Sequence, residues 1–306
     1  MSVVSPSGEQ FEIAFEEQRA VVVEVGAGLR AYSVNGLHVL NGYGSDEMAT
    51  GGRGQVLIPW PNRIKDGSYE FGGSRHQLPL NEAEHSNAIH GLVRWSAWRL
   101  RAHDPRRVAL EYVVHPQPGY PFSLQVSVDY ALSSAGLTVR TTATNVGASP
   151  CPYGCGAHPY LTVGGATVDD VVLRVPARNA LRSDERGIPV GTSPVDGAEL
   201  DFRTPRRIGG ARLDNGFTDL DRDDSGVARV ELRSGDSRAR VTLWLDHAYP
   251  YVMVFTGDIP AVRRRGLAVE PMTCPPNAFR SGESVVVLEQ GDSHVATWGI
   301  AAEVKD

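Results

Sequence analysis

The sequence predicts an all-β fold, a large antiparallel β-sandwich. Three observations predict it. Short runs alternate apolar and polar residues with a period of two. Glycine (33) and proline (20) fall between those runs as turn punctuation and do not gather in one linker. No amphipathic stretch extends beyond two or three helical turns.

The runs carry the prediction one by one. "RRVALEYVVH" puts Val108, Leu110, Tyr112 and Val114 on one face of a strand. "SLQVSVDYALSSAGLTVRTTATNV" holds two such runs, with Leu124, Val126, Val128, Tyr130 and Leu132 on one face. "SSAG" then reverses the chain, and Leu137, Val139, Thr141 and Ala143 continue, which predicts a hairpin. "VARVELRSGDSRARVTLWL" predicts a second hairpin, turning at Ser234–Ser237. "ESVVVLEQGDSHVATWGI" predicts a third, turning near Gln290–Asp292. The polar segment 176–210 is expected to form long surface loops, because apolar strands resume on both sides. No repeat, low-complexity tract or composition shift marks a boundary, so residues 1–306 are expected to form one domain. Two sheets packed face to face suit that pattern.

Bulk properties narrow the function. A chain of 306 residues can bury roughly 75% of its unfolded surface, so it needs neither disulfide nor metal for stability. The net charge of −6, with both signs scattered, argues against a nucleic-acid partner, which would demand a basic stripe. No apolar run is long enough to span a membrane. The N-terminal residues lack a basic segment followed by an apolar one, so no signal peptide is expected. Cys151, Cys155 and Cys274 are too few and too irregular for a disulfide framework. Reduced thiols and a cytoplasmic location are the expectation, a Cys151–Cys155 bridge being the lesser alternative. The sequence leaves the oligomeric state open.

Four segments carry polar residues that sheet patterning does not explain. In "PWPNRIKDG", Arg63 follows prolines that favour a rigid loop, and its planar fork of donors would be held there. A surface arginine capping a turn is the plainer alternative. In "NAIHGLVRW", His90 precedes Gly91, which removes bulk beside the ring; a structural histidine is the default. His85 and His90 match no common zinc spacing, so no metal is expected. In "CPYGCGAHPYL", His158 precedes Pro159 and is pushed towards extended backbone. An imidazole can give or take a proton at neutral pH, or merely pack on Tyr160. In "ARLDNGFTDL", Asp214 looks first like a turn residue, yet could accept bonds from a hydroxyl.

A fifth segment, "RRRGLAVEPMTCPPNAF", sets Glu270 among apolar residues. It is either a strand-end carboxylate that bends back to water or a general base in a dry pocket. His158 lies 112 positions away, so only folding could join them.

Taken together, "PNRIKDGSYEFG", "NAIHG", "HPY", "LDNGF" and "VEPMTCPPNAF" resemble, in order, the motifs of the aldose 1-epimerase (mutarotase) family. They cover roughly residues 50 to 280. The resemblance implies a single-domain galactose mutarotase-like supersandwich that interconverts the α and β anomers of a hexose. It implies Glu270 as general base on the anomeric hydroxyl and His158 as general acid on the ring oxygen. Arg63 and His90 would bind the sugar near that oxygen. Asp214 would grip hydroxyls, the loosest match, since many relatives carry a histidine soon after that aspartate. Such chemistry involves no redox change and needs no cofactor. The implied partner is a small sugar.

Two alternatives stay open, besides a least favoured third, a metal enzyme using His85, His90, His158 and Glu270. A non-catalytic sugar-binding module could share the fold. A relative acting on a hexose 6-phosphate or sulfonated hexose would need extra cations, for which Arg53, Arg94 and Arg263–Arg265 are candidates. Trp60, Trp95 and Tyr160 could stack on a sugar, although core packing is the default for each.

Overall fold

A computed structural model describes residues 4–165 and 167–305. Among them, strands dominate, and the one α-helix is the single turn Ala278–Ser281. No helix is long and apolar enough to cross a membrane.

Two large sheets form the sandwich, and every strand ladder in them is antiparallel. The nine-stranded sheet is centred on Leu124–Ser133, Gly136–Asn145, Ser293–Val304 and Ala239–Leu245. The eight-stranded sheet runs from Pro189–Pro194 through Ala177–Ser183, Asp214–Leu220, Tyr251–Phe255 and Leu267–Met272. Gly156–Ala157 and Val56–Leu57 complete the row, and Tyr160–Leu161 pairs separately with Leu267–Met272. A four-stranded sheet, Gln10–Phe15 to Leu37–His38, completes the N-terminal part. The apolar faces of the central strands of both large sheets enter one main core. Val126, Val128, Val139 and Leu243 from one large sheet share it with Phe217, Val252, Val254 and Val269 from the other. Burying apolar area of this kind is the main driving term, at roughly 25 cal/mol per Å².

The first two predicted hairpins form as the alternation requires. Ser133 pairs with Gly136, and Arg233 with Arg240, across their turns. The third does not. The chain turns after Glu289, but Val286–Leu288 pairs with Cys151–Tyr153, while Ser293–Val304 enters the nine-stranded sheet. Ser293–Ile300 pairs with Gly136–Asn145 on one edge and Trp298–Val304 with Ala239–Leu245 on the other, which draws the strand into the nine-stranded sheet and away from its sequence neighbour.

Segment 176–210 is also more ordered than expected. Ala177–Ser183 and Pro189–Pro194 form a hairpin at the edge of the eight-stranded sheet. Only a few of its positions, such as Ala177, Ala180 and Leu181, are buried, so its sequence reads as polar. "LDNGF" is likewise not a turn: Asp214 begins a strand that pairs with Tyr251–Phe255. All three cysteines are buried and unbridged.

Candidate active site

The register of the eight-stranded sheet brings the distant residues together. Leu267–Met272 pairs with Gly156 at one end (Gly156 opposite Met272) and with Tyr160 near the other (Tyr160 opposite Ala268). Between those contacts the ladder is interrupted at His158-Pro159. The same register carried across the break sets His158 opposite Glu270. Each of the two precedes a proline, which has no N–H to give a ladder. Directly opposed residues put their side chains on the same face, close together.

The contact follows: His158 Nε2 and Glu270 Oε1 are 3.2 Å apart, with the residues 5% and 2% exposed. Glu270 is thus a buried mid-strand residue, which removes the alternative of a strand-end carboxylate bending back to water. Its second oxygen, Oε2, has no protein partner among the described residues. A buried acceptor without a partner is uncommon and fits a site awaiting a hydroxyl donor.

The imidazole of His158 is held on both sides. It stacks on Tyr160 (centroids 4.9 Å apart, planes 17° apart), whose hydroxyl donates to the Gly51 carbonyl at 2.9 Å. On the other side lies Gly52, at φ +77°; a β-carbon there would come within 2.7 Å of His158 Cδ2. Packing on Tyr160 and facing the cleft are therefore not alternatives, because the ring does both. Gly52→Ala is expected to shift the ring and lower turnover by about 10²-fold, the usual scale for an ångström of misplacement. Steady-state kinetics beside a melting curve checks this; full turnover would show that ring position does not matter.

His90 is placed by a reciprocal clasp. Its N–H donates to the Asn62 carbonyl (2.9 Å), and the Asn62 N–H donates to His90 Nδ1 (3.2 Å). Neutral His90 therefore carries its proton on Nε2. The residue has φ +63°, a strained backbone for a non-glycine residue. Gly91 serves a different end from the one the sequence suggests. A β-carbon there would lie 2.0 Å from the Ile58 carbonyl oxygen, so it permits a backbone crossing. His90 meets His158 edge to face, with centroids 5.3 Å apart.

Arg63 begins the short strand Arg63–Lys65, which pairs with Asn87–Ile89, so the expected rigid loop is a strand. Its Nε lies 3.0 Å from both Glu82 oxygens, and a terminal nitrogen lies 2.9 Å from Oε1. The Asn87 side-chain amide also donates to Glu82 (2.8 Å). Glu82 is a positioning residue that sequence reading missed; nothing in "NEAEHSN" singles it out. Asp214 is exposed at the cleft, near enough for its charge to act on Glu270.

All five predicted site residues line one cleft of about 550 Å³, together with Glu82, Arg94, Trp95 and Tyr160. That volume is of ordinary ligand size. A larger depression, about 820 Å³, lies near Arg30 and Arg265 but contains none of the five. Trp95, 52% exposed, borders the cleft, whereas Trp60 packs in the core on Phe279. His85 faces Glu82 and does not join His90 as a metal pair. His90, His158 and Glu270 do form a close donor set, each with one ligating atom within 4.8 Å of the others.

Electrostatics divides the cleft. Burial pushes the Glu270 carboxyl well above its ordinary range; the Asp214 charge adds to this and Arg63 opposes it. Burial pushes His158 down to about 3, with the Arg94 charge in the same direction. His90 is also held well below its usual value, first by burial. Both charge extremes of the His158–Glu270 pair are thus disfavoured. One proton held between two atoms 3.2 Å apart is the arrangement these two shifts favour.

Comparison with known proteins places the chain. A family model described as aldose 1-epimerase matches residues 9–301. The uncharacterized protein YihR of Escherichia coli K12 is 35% identical over 300 residues, covering 98% of this chain and 95% of that one. Mouse galactose mutarotase is 29% identical over 168 residues, 51% of this chain and 46% of that one. Among solved structures, a GalM/aldose epimerase homologue from C. elegans superposes with a TM-score of 0.86 at 18% identity, covering 97% and 99% of the two chains. A galactose 1-epimerase from Lactobacillus acidophilus gives 0.80 at 22%, covering 95% and 92%.

Proposed function

We propose, from the premise that this chain belongs to the aldose 1-epimerase family, that it is a cofactor-independent mutarotase interconverting the α and β anomers of a hexose. One observation carries the reading: a buried imidazole and a buried carboxyl, 3.2 Å apart, on the wall of a sugar-sized cleft.

Mutarotation suits a pair that holds one proton. The two oxygens that exchange protons, O1 and the ring oxygen, are bonded to the same carbon, so their partners must also be neighbours. In ring opening, the Glu270 carboxylate takes the O1 proton while the His158 imidazolium gives one to the ring oxygen. The C1–O5 bond breaks and C1=O1 forms. The pair is then carboxylic acid and neutral imidazole, again with one proton. Rotation about C1–C2 turns the other face of the aldehyde to the O5 hydroxyl. In closure, His158 takes the O5 proton, Glu270 returns one to O1, and the starting state is restored. No proton needs to reach solvent, as befits residues this buried. Each positioned transfer is worth about 10²–10⁴-fold in rate.

The remaining residues have supporting roles in this reading. Neutral His90 presents Nε2–H, and Arg63, oriented by Glu82, presents its remaining donors to developing negative charge and to hydroxyls. Asp214 accepts from hydroxyls. Trp95 and Tyr160 offer apolar surface to a sugar face.

Freshly dissolved α-D-glucose or α-D-galactose should reach equilibrium rotation faster with the protein than without it, and EDTA should not slow it. No acceleration with any aldose would leave only a binding module. Loss of acceleration on chelation, restored by a divalent ion, would turn the His90, His158, Glu270 set into a metal site.

A further inference from the structure

The tip of one hairpin meets the cleft wall from outside. Ala177–Ser183 and Pro189–Pro194 form that hairpin at the edge of the eight-stranded sheet, and residues 184–188 turn it. Asp184 shapes the turn. Its carboxylate accepts the Arg186 N–H at 2.9 Å and the Ile188 N–H at 3.0 Å, while its own N–H donates to the Ile188 carbonyl at 2.9 Å. Side-chain bonds of this local kind are what an aspartate brings to a turn. Arg186 then ties the turn to the segment that holds Glu82. Its Nε donates to the His85 carbonyl at 2.8 Å, and a terminal nitrogen donates to the Ser86 carbonyl at 2.9 Å and to the Asp66 carboxylate at 2.8 Å. In return, the buried Asn87 amide donates to the Arg186 carbonyl at 3.0 Å and to Glu82 at 2.8 Å. One amide thus joins the hairpin tip to the carboxylate that orients Arg63.

The Glu82–Asn87 loop does not need Arg186 in order to close. Glu82 and Asn87 already exchange backbone bonds, at 3.1 and 3.2 Å. What Arg186 adds is the position of that loop against the tip. Gly187, next in the chain, meets Arg63 itself. It has φ +72°, and a β-carbon there would lie 2.6 Å from a terminal nitrogen of Arg63 and 2.9 Å from its Cζ. Arg63 and Glu82 line the cleft, and Arg186 and Gly187 stand behind them. The guanidinium is therefore held along one edge by Glu82 and backed by the bare backbone of the tip. We propose that Arg186 and Gly187 are positioning residues for the reaction: the hairpin tip is a backstop that fixes the Arg63 guanidinium for the sugar. This rests on the mutarotase reading above. A planar fork of donors is useful only in the right orientation, and an ångström of misplacement costs about 10²-fold.

The test is anomer exchange of D-glucose and D-galactose, measured by NMR saturation transfer, with a melting curve for every variant. Gly187→Ala should lower kcat/KM by about 10- to 100-fold in the parent. In an Arg63→Ala background the same substitution should change it by less than about twofold, because the group it displaces is gone. The strain of alanine at positive φ lowers the melting temperature in both backgrounds, whereas the crowding acts on kinetics only where Arg63 is present. Arg186→Ala, at a half-buried side chain, should cost about 3- to 10-fold in the parent and again little in Arg63→Ala. It decides alone if Gly187→Ala does not fold. Equal losses in the two backgrounds would overturn the inference, because the tip would then serve the fold as a whole. Full kcat/KM in either single variant would overturn the role given to that residue. No exchange of either sugar by the parent would bring down the mutarotase reading itself, and this inference with it.

Discussion

Glu270→Gln is expected to lower kcat for anomer exchange by about 10²–10⁴-fold and to leave the protein folded. Glutamine keeps the shape and a carbonyl oxygen facing His158 but cannot carry the proton from O1. Binding should suffer less than turnover, because an amide still bonds to a hydroxyl. Stability should not fall. The folded state holds the Glu270 proton more tightly than the unfolded chain, so native protein binds more protons above the ordinary carboxylate range. Stability attributable to this group therefore declines as pH rises from about 4.5 towards its raised folded value. The amide has no such dependence, so the variant should gain melting temperature relative to the parent across that window. Near-normal turnover would refute the assignment of Glu270 as base. A fall in stability would refute the account of its burial.

His158→Asn is expected to cost a similar factor, for a complementary reason. The imidazole is the only titratable group within hydrogen-bond reach of Glu270 among the described ion pairs. Without it, the proton for the ring oxygen must come from water, beside a carboxyl that is almost fully buried. The enlarged cleft gives a second reading. Added imidazole should recover part of the lost rate in His158→Ala and none in Glu270→Gln. Rescue of both or of neither, with both variants folded, would argue against a proton-donor role at this position. Because the two residues serve the same step, combining the substitutions should cost much less than the product of the separate losses.

The sequence carried the fold further than the site. Alternating residues such as Leu124–Leu132 announce strands because side-chain direction has a period of two, and their buried faces follow that alternation. Pairing is less legible. Val286–Leu288 and Ser293–Val304 look like a hairpin locally, and each pairs instead with strands distant in sequence, a global property. The individual site residues stood out as polar groups that sheet patterning left unexplained, and their roles came from the resemblance to aldose 1-epimerases. Their meeting was not, because it depends on the register of Leu267–Met272 with two short strands on either side of His158. Gly52 and Glu82 escaped for the same reason: one acts by having no side chain near an imidazole, the other by orienting a guanidinium 19 positions away. Arg53, Arg94 and Arg263–Arg265 were indistinguishable as cations in sequence. Their partners, visible only in the fold, leave Arg94 at the cleft wall without a carboxylate partner among the described residues.

The dependence of kcat/KM on pH tests the shared proton most directly. A pair that must hold one proton loses activity when it gains a second in acid and when it loses its only one in base. Burial opposes both changes, so the account predicts a wide plateau spanning neutrality that falls on both sides, with Glu270→Gln lacking that two-limbed shape. A wild-type profile that rises once through the ordinary carboxylate range near pH ~4.3 and then stays level into strong base would contradict it. In that case an independent carboxylate would be at work, and the imidazole beside it would be a bystander.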